Sequence, residues 1–354
     1  MSVLQPAPSA ICPIKSCGEG LRENMKKDTS TGSQLCIIQF QHPRNEIGVC
    51  NQDTKCKDIF LVPWNSKEHR RRLVQHSGKF VMEGVDDEGS LAFWTEWEAD
   101  TKAKNLKPMG NNMLAKRIHF PLPLKHMVNQ NHDSQGCVRV TSPHCAISAC
   151  GNFLNTDPCV FGRSFKYSNC RQNATTRLKH LMPGSLIVFG SVLNGQYCLD
   201  TVFIVADNPT PFRTSNTGIK SVICTDEYRI LTLERLVSNN PVDYVFYRGV
   251  TFQKGMTTPF SFTPSYRFKS DNYENEVNSY ECRKRCIIDL DKLNSAACKV
   301  GGIKPFDIKQ TRRATLTLAN RVSIKAVWDN IVQQVQDKRG NNMVLGVRFN
   351  WPEK

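Results

Sequence analysis

Hydrophobic positions in the first half of this chain fall in short runs separated by polar stretches. The runs are rich in β-branched, aromatic and aliphatic residues, and they occupy residues 36–40, 59–62, 79–83, 91–97 and 117–122. Gly, Asn, Pro or charged residues lie between them, as is typical of strands joined by loops. The pattern predicts that strands dominate this half of the protein.

Residues 184–207 carry the clearest local pattern, with an apolar run on each side of Asn194-Gly195. Asn-Gly supplies the positive φ angles of a two-residue type I′ turn, which predicts a β-hairpin. In the register that this turn sets, Phe189 faces Asp200. Both faces of the hairpin are largely apolar, so we expect its strands in the middle of a sheet that is covered on both sides.

Helical patterns are few. Residues 175–182 and 226–237 are predicted to be helical, and the strongest stripe comes near the end of the chain. Its apolar members follow the spacing of one helical face: Ile324, Val327, Trp328, Ile331, Val332 and Val335. Ser323 is the predicted N-cap and Gly340 the predicted stop, and a last strand is predicted at residues 343–349.

Together these elements predict an α+β fold. We expect a mixed, mainly antiparallel β-sheet or partly open barrel with a few packing helices and a C-terminal amphipathic helix. Residues 1–34 are rich in Ser, Pro, Gly, Lys and Thr and are predicted to be a flexible tail. Residues 35–354 form the predicted globular region. It divides into two possible lobes, 35–207 and 217–354, on either side of a candidate hinge at residues 207–216.

Charge is unevenly distributed along the chain. The formal net charge is +15, and residues 101–199 contain twelve Lys or Arg against two acids, whereas residues 83–100 contain seven acids and no Lys or Arg. A basic surface of this kind suits a polyanion such as nucleic acid or an anionic membrane. The alternative is that the cations are solvated on several unrelated faces, because proximity in sequence is not proximity in space.

Composition and motifs narrow the class of protein. The chain has fifteen cysteines in irregular spacing and no C-x-x-C pair, and its first residues lack the pattern of a signal peptide. No apolar window is long enough for a transmembrane helix. We therefore expect an intracellular protein, cytoplasmic or nuclear, with reduced thiols and no metal site. The P-loop, the G-x-S-x-G elbow and the G-x-G-x-x-G motif are absent from the sequence. The sequence assigns neither a cofactor nor an oligomeric state.

The candidate catalytic acids are Glu96 and Asp200. Strand alternation places Glu96 and Glu98 on one face with Trp94, where they form either an acid pair or the solvated face of an edge strand. Asp200 interrupts an apolar hairpin face, and a carboxylate there is costly to bury unless it is paired.

The basic segment 101–199 offers three partners for Asp200: Arg163, Arg171 and Arg177. Pairing with one of them would lock the sheet to a loop. The alternative to this structural role is that Asp200 acts as a catalytic or ligand-orienting acid.

Residues 155–172 combine a turn with interleaved aromatic and basic side chains. Flat rings and cations are what single-stranded nucleic acid or a nucleobase needs for stacking and for phosphate contacts. The alternative is a half-buried strand whose rings pack in the core. The candidate ligand-binding residues are Asp157, Arg163, Phe165, Tyr167 and Arg171.

One segment also has a limited likeness to known domains. Residues 178–207 read as a helix, Pro183-Gly184, an apolar strand, a tight turn and a second apolar strand. This run resembles the corresponding segment of small β-barrel domains that bind RNA or modified bases. It includes no diagnostic side chain, so the likeness assigns no family.

Three functions therefore stay open. The first is nucleic-acid or nucleotide binding through a basic surface, with possible action on a nucleobase. The second is an enzyme acting on a small anionic metabolite, and the third is a structural or partner-binding protein.

Overall fold

The structure is a computed structural model that describes residues 34–42, 59–62, 71–97, 101–107, 114–122, 157–269, 273–310, 312–338, 340 and 342–352. Within these residues the strands are β1 Cys36–Gln41, β2 Phe60–Val62, β3 Arg72–Met82, β4 Val85–Thr95, β5 Thr101–Asn105, β6 Arg117–Pro121, β7 Lys166–Tyr167, β8 Leu186–Leu193, β9 Gln196–Ile204, β10 Thr210–Arg213, β11 Asp243–Arg248, β12 Thr263–Arg267, β13 Cys286–Ile288, β14 Ala314–Leu318 and β15 Met343–Phe349. The α-helices in the same residues are α1 Asn216–Lys220, α2 Asp226–Tyr228, α3 Tyr273–Val277, α4 Leu290–Gly301 and α5 Arg321–Gln336.

A five-stranded sheet lies at the centre of the fold. Its strand order is β13-β9-β8-β1-β14, and every pair is antiparallel except the parallel pair β1–β8. The β8–β9 hairpin lies inside this sheet, and all but one of its strand residues are buried. The expectation of central strands that are covered on both sides is therefore confirmed.

A second sheet of seven strands has the order β15-β12-β4-β3-β6-β5-β2, and β15 also pairs with β3. The strands β3, β4, β12 and β15 consequently close a ring, while β6, β5 and β2 extend from it. A small third sheet joins β10, β11 and β7. These mixed, mainly antiparallel sheets confirm the predicted α+β fold.

The helices pack outside the five-stranded sheet. One of its faces meets the seven-stranded sheet across a large apolar core, and α4 and α5 cover its other face. A smaller cluster with α3 lies on the outer face of the seven-stranded sheet. Among the described helices, none has the length and apolar character that crossing a membrane requires.

Helix α5 follows the predicted apolar stripe, but its boundaries differ from the prediction. Asn320 caps its start by accepting a hydrogen bond from the Ser323 backbone N–H, and the helix ends at Gln336, before Gly340. Helix α4, capped by Asp289, was not predicted. The helix predicted at residues 175–182 is a 3₁₀ turn, Thr176–Lys179. The one predicted at 226–237 is divided among α2, a π-helical turn and a 3₁₀ turn.

The predicted hairpin register is correct near the turn and wrong beyond it. Gly190 faces Leu199 as expected, but a β-bulge follows, and Phe189 faces Thr201 instead of Asp200. The extra residue of the bulge is Asp200, which therefore has no directly opposed residue on β8. Sequence alternation misses this because a bulge shifts the faces of one strand without changing its composition.

Residues on both sides of the candidate hinge share the large sheets. Strands β13 and β14 pair with strands of the five-stranded sheet that come before the hinge, and β12 and β15 do so in the seven-stranded sheet. The compact unit that contains them is Gln34–Lys354. All but the last residue of the predicted tail lie outside the described residues.

Candidate functional site

Five buried ionisable side chains meet between the two large sheets. We call His42, Arg71, Glu96, Asp200 and Arg285 the buried charge cluster. Each comes from a strand end or an irregularity, because His42, Arg71, Glu96 and Arg285 flank strands and Asp200 occupies the bulge of β9. The two predicted catalytic acids, Glu96 and Asp200, are thus brought into one site.

The guanidinium of Arg71 joins both acids. Its Nη1 lies 2.9 Å from Glu96 Oε2, and its Nε lies 2.9 Å from Asp200 Oδ2. Its Nη2 donates to the backbone carbonyl of His42, whose Nδ1 lies 3.4 Å from Glu96 Oε2. Arg71 therefore fixes both carboxylates and the backbone at the end of β1.

Arg285 contacts Asp200 from the other side. Its Nη2 lies 2.8 Å from Asp200 Oδ1 and donates to Ser191 Oγ at 2.7 Å, and its guanidinium carbon lies 4.5 Å from the centre of the Trp94 ring. Each carboxylate oxygen of Asp200 thus meets a different guanidinium. The expectation that Arg163, Arg171 or Arg177 would supply a partner is not met among the described ion pairs, in which Arg71 and Arg285 contact Asp200.

The cluster lies at the carboxyl ends of the parallel strands β1 and β8. The backbone N–H of His42, just after β1, donates to the carbonyl of Gly190 at 2.9 Å. In open α/β sheets such strand ends often border a ligand site, but here the five side chains of the cluster are only 2–6% exposed. An imidazole held by a carboxylate can also exchange protons with a ligand. The same pairing suits a purely structural lock, because buried charges are tolerated where they are paired.

Asp157 lies near the buried charge cluster, but its hydrogen bonds are to backbone N–H groups. Its carboxylate accepts from the backbone N–H groups of Ser168, Asn169 and Cys170 at 3.0, 2.7 and 2.7 Å. The pKa of Asp157 is raised to about 7, because burial and, to a smaller extent, the charge of Glu96 raise it more than the three backbone hydrogen bonds lower it. The described contacts of Asp157 therefore hold a turn.

The rings of Phe165 and Tyr167 are buried, contrary to the expectation that this stretch presents aromatic side chains at a surface. The Tyr167 ring stacks on Tyr247 with their planes 10° apart, and Phe165 stacks on Phe349. Alternation fails here because β7 has two residues, and both are buried. The core-packing alternative describes these rings correctly.

The neighbouring cations have different surroundings. Lys166 is buried, and its Nζ donates to the carbonyls of Phe161 and Ser164 at 2.7 and 2.9 Å. Burial lowers the pKa of Lys166. Arg163 is exposed, and Arg171 is half-buried with a φ of 64°. Ligand binding by these two arginines stays a prediction, and Glu98 lies outside the described residues.

A surface that sequence reasoning missed lies on the outer face of the seven-stranded sheet. Lys102 stands opposite Phe120 and Lys104 opposite Ile118 on the antiparallel pair β5–β6, and Phe120 and Trp94 both pack beside the small outer cluster. We call Trp94, Lys102, Lys104 and Phe120 the basic–aromatic face. Lys102 is exposed and both rings are half-buried. The alternation of Lys102 and Lys104 in sequence was the available signal.

Cysteine chemistry at the site is disfavoured. Burial raises the pKa of Cys170 well above its usual value, and it raises the pKa of Cys286 to about 11. These thiols are therefore protonated and weakly nucleophilic at neutral pH. The part of the chain that the structure describes contains no group of three potential metal-ligating His, Cys, Asp or Glu side chains.

Comparison with protein-family models, curated proteins and solved structures found no match. Functional inference therefore rests on the geometry of the buried charge cluster and the basic–aromatic face.

Proposed function

We propose that the protein binds nucleic acid or nucleotides through the basic–aromatic face, with the buried charge cluster behind it as the candidate reaction centre. The observation that carries the proposal is the cross-strand pair Lys102–Phe120, which sets an exposed ammonium beside a half-buried ring. Single-stranded nucleic acids bind to such surfaces because bases stack on rings while cations neutralise phosphates.

Two further features support this proposal. Lys107 and Lys116 are exposed at the end of the β5–β6 pair, so they extend the positive charge beyond the strands. Arg285 contacts both the Trp94 ring and the Asp200 carboxylate, which connects the face to the cluster. A base stacked near Trp94 would thus lie close to ionisable groups suited to proton transfer.

The first test measures binding of a fluorescein-labelled single-stranded RNA and DNA of about 16 nucleotides by anisotropy. Titrations between about 50 and 200 mM salt are expected to show log affinity falling linearly with log salt concentration. Lys102→Ala is expected to weaken binding several-fold and to reduce the slope by about 0.7, the loss of one phosphate contact.

The matched control is Lys292→Ala, which removes an exposed lysine from α4, on the other side of the five-stranded sheet. The Lys292→Ala variant is expected to bind the oligonucleotides with the same affinity and the same salt dependence as the wild type. Absence of binding to either oligonucleotide, salt-independent binding, or equal effects of the two substitutions would each refute the proposal.

A second candidate function is an enzyme acting on a small anionic metabolite. The convergence of Arg71 and Arg285 at the carboxyl ends of β1 and β8 favours it, because guanidinium groups recognise carboxylates and phosphates. Thermal-shift screening with nucleotides and sugar phosphates at constant ionic strength separates the candidates. Stabilisation by sugar phosphates without oligonucleotide binding would favour the second.

A further inference from the structure

Strand β14 forms one edge of the five-stranded sheet. It follows β1 at the end of the strand order, and among the described residues its ladder partner is β1 alone. Its other edge therefore has no described strand beside it. An edge of this kind is a template for pairing with another extended chain.

The register shows which backbone groups point away from the sheet. The Gln41 N–H donates to the Arg313 carbonyl at 2.7 Å, and the Ala319 N–H donates to the Leu35 carbonyl at 3.0 Å. Inward and outward hydrogen bonding alternates along an antiparallel strand. The N–H and C=O groups of Ala314, Leu316 and Leu318 consequently point outward.

Within the part of the chain that the structure describes, β14 lacks the usual protection of an edge. Its sequence, Ala-Thr-Leu-Thr-Leu, contains no charge and no proline, and Leu318 is 42% exposed. The other described edge strands are better protected, since β2 and β13 have three residues each, β7 has two, and β10 contains Pro211. Short strands and prolines discourage edge pairing, so β14 is the most open described edge.

Positive charge surrounds this edge. Residues 309–328 contain five Lys or Arg and no Asp or Glu, and one of the five, Lys325, is paired with Asp329 just beyond them. Arg312 and Arg313 are exposed before the strand, and Arg321 is exposed after it. A chain added along β14 would meet cations at both ends, which favours an acidic partner.

We propose that β14 binds an extended acidic peptide from another protein as an additional strand of the five-stranded sheet. Backbone hydrogen bonds from Ala314, Leu316 and Leu318 provide the pairing, and the flanking arginines select for acidic residues at the ends of the peptide. A second copy of this chain fits less well. Antiparallel self-pairing centred on Leu316 would bring Arg312 and Arg313 of one copy beside Arg321 of the other.

The test uses a fluorescein-labelled peptide of alternating Val and Thr flanked by glutamates, with a lysine-flanked version as its charge control. The wild type is expected to bind the glutamate-flanked peptide at least ten-fold more tightly. Leu318→Pro removes an outward N–H while keeping the inward ladder, so binding is expected to fall at least ten-fold. Leu318→Ala keeps that N–H and is expected to change binding less than three-fold. Circular dichroism and thermal melts check that both variants fold.

Hydrogen exchange identifies the occupant of the edge. The amides of Ala314, Leu316 and Leu318 are expected to exchange fast in the free protein and slowly with the glutamate-flanked peptide. Failure to bind this peptide, or slow exchange at these amides in the free protein, would overturn the proposal. Concentration-dependent protection would assign the edge to a second copy, and protection by an oligonucleotide alone would assign it to nucleic acid. These outcomes do not depend on the basic–aromatic face, so the two proposals fail separately.

Discussion

At the scale of single residues, the buried carboxylates divide according to their partners. Asp157 accepts three backbone N–H groups within one turn, whereas Asp200 meets two guanidinium groups from distant parts of the chain. Sequence reasoning identified Asp200 as anomalous because it interrupts an apolar pattern. It could not identify Arg71 and Arg285 as its partners, since they lie 129 and 85 residues away along the chain.

Asp157→Asn tests the balance between burial and hydrogen bonding at this turn. The amide replaces one acceptor oxygen with a donor that faces backbone N–H groups, so we expect a loss of about 1–3 kcal/mol in the free energy of unfolding. The folded pKa of about 7 lies above the ordinary value of 3.8. The folded state therefore binds more protons between these values, and the contribution of Asp157 is full below pH 4 and is lost as the pH rises to 7.

Urea unfolding of both proteins from pH 4 to pH 8 measures this effect. The stability advantage of the wild type over Asp157→Asn should shrink as the pH rises through this range, and groups shared by both proteins cancel in the difference. An advantage that grows with pH would show that the three N–H groups outweigh burial and hold the carboxyl ionised.

At the scale of elements, the sequence predicted what depends on local pattern. Strands β1 and β15, the Asn194-Gly195 turn and the apolar face of α5 were found where periodicity and turn chemistry indicated. The β9 bulge was not predictable, because pairing geometry and not composition creates it. The core positions of Phe165 and Tyr167 were also missed, since a two-residue strand is too short for alternation to report its environment.

The hairpin also depends on the absence of a side chain at Gly190. A Cβ atom there would collide with the backbone carbonyl of Cys198 and approach two Tyr197 ring atoms to 2.7 Å. The Tyr197 hydroxyl lies 2.8 and 3.0 Å from the carbonyls of Val188 and Phe40, between which its single proton is shared, so the ring cannot move away freely. We expect Gly190→Ala to lower the free energy of unfolding by about 1–3 kcal/mol, the usual cost of overpacking.

Gly89→Ala provides the matched control within strand β4. The nearest atom to its added Cβ is a Phe80 ring carbon at 3.7 Å, an ordinary contact distance. We expect a change within about 1 kcal/mol, because reduced freedom of the unfolded chain favours alanine. Equal effects of the two substitutions in urea unfolding would contradict the predicted role of close packing at Gly190.

At the scale of the whole molecule, the buried charge cluster joins the two large sheets. Asp200 belongs to the five-stranded sheet, whereas Arg71 and Glu96 flank strands β3 and β4 of the seven-stranded sheet. The surrounding interface is apolar, so the cluster is its ionic centre. Separating the two sheets would leave charges of the cluster buried without their partners, so we expect the cluster to favour this arrangement of the sheets.

Asp200→Asn tests how strongly the fold depends on this ionic centre. Removing the charge leaves Arg71 and Arg285 buried without that partner, so we expect a loss of about 3–5 kcal/mol in the free energy of unfolding. Asp207→Asn is the control, since its Oδ2 lies 2.6 Å from Arg248 Nη2 with both side chains about half exposed. An exposed pair of this kind contributes about 0–1 kcal/mol. Urea unfolding compares the two variants, and a loss at Asp200 no larger than at Asp207 would show that the cluster does not hold the sheets together.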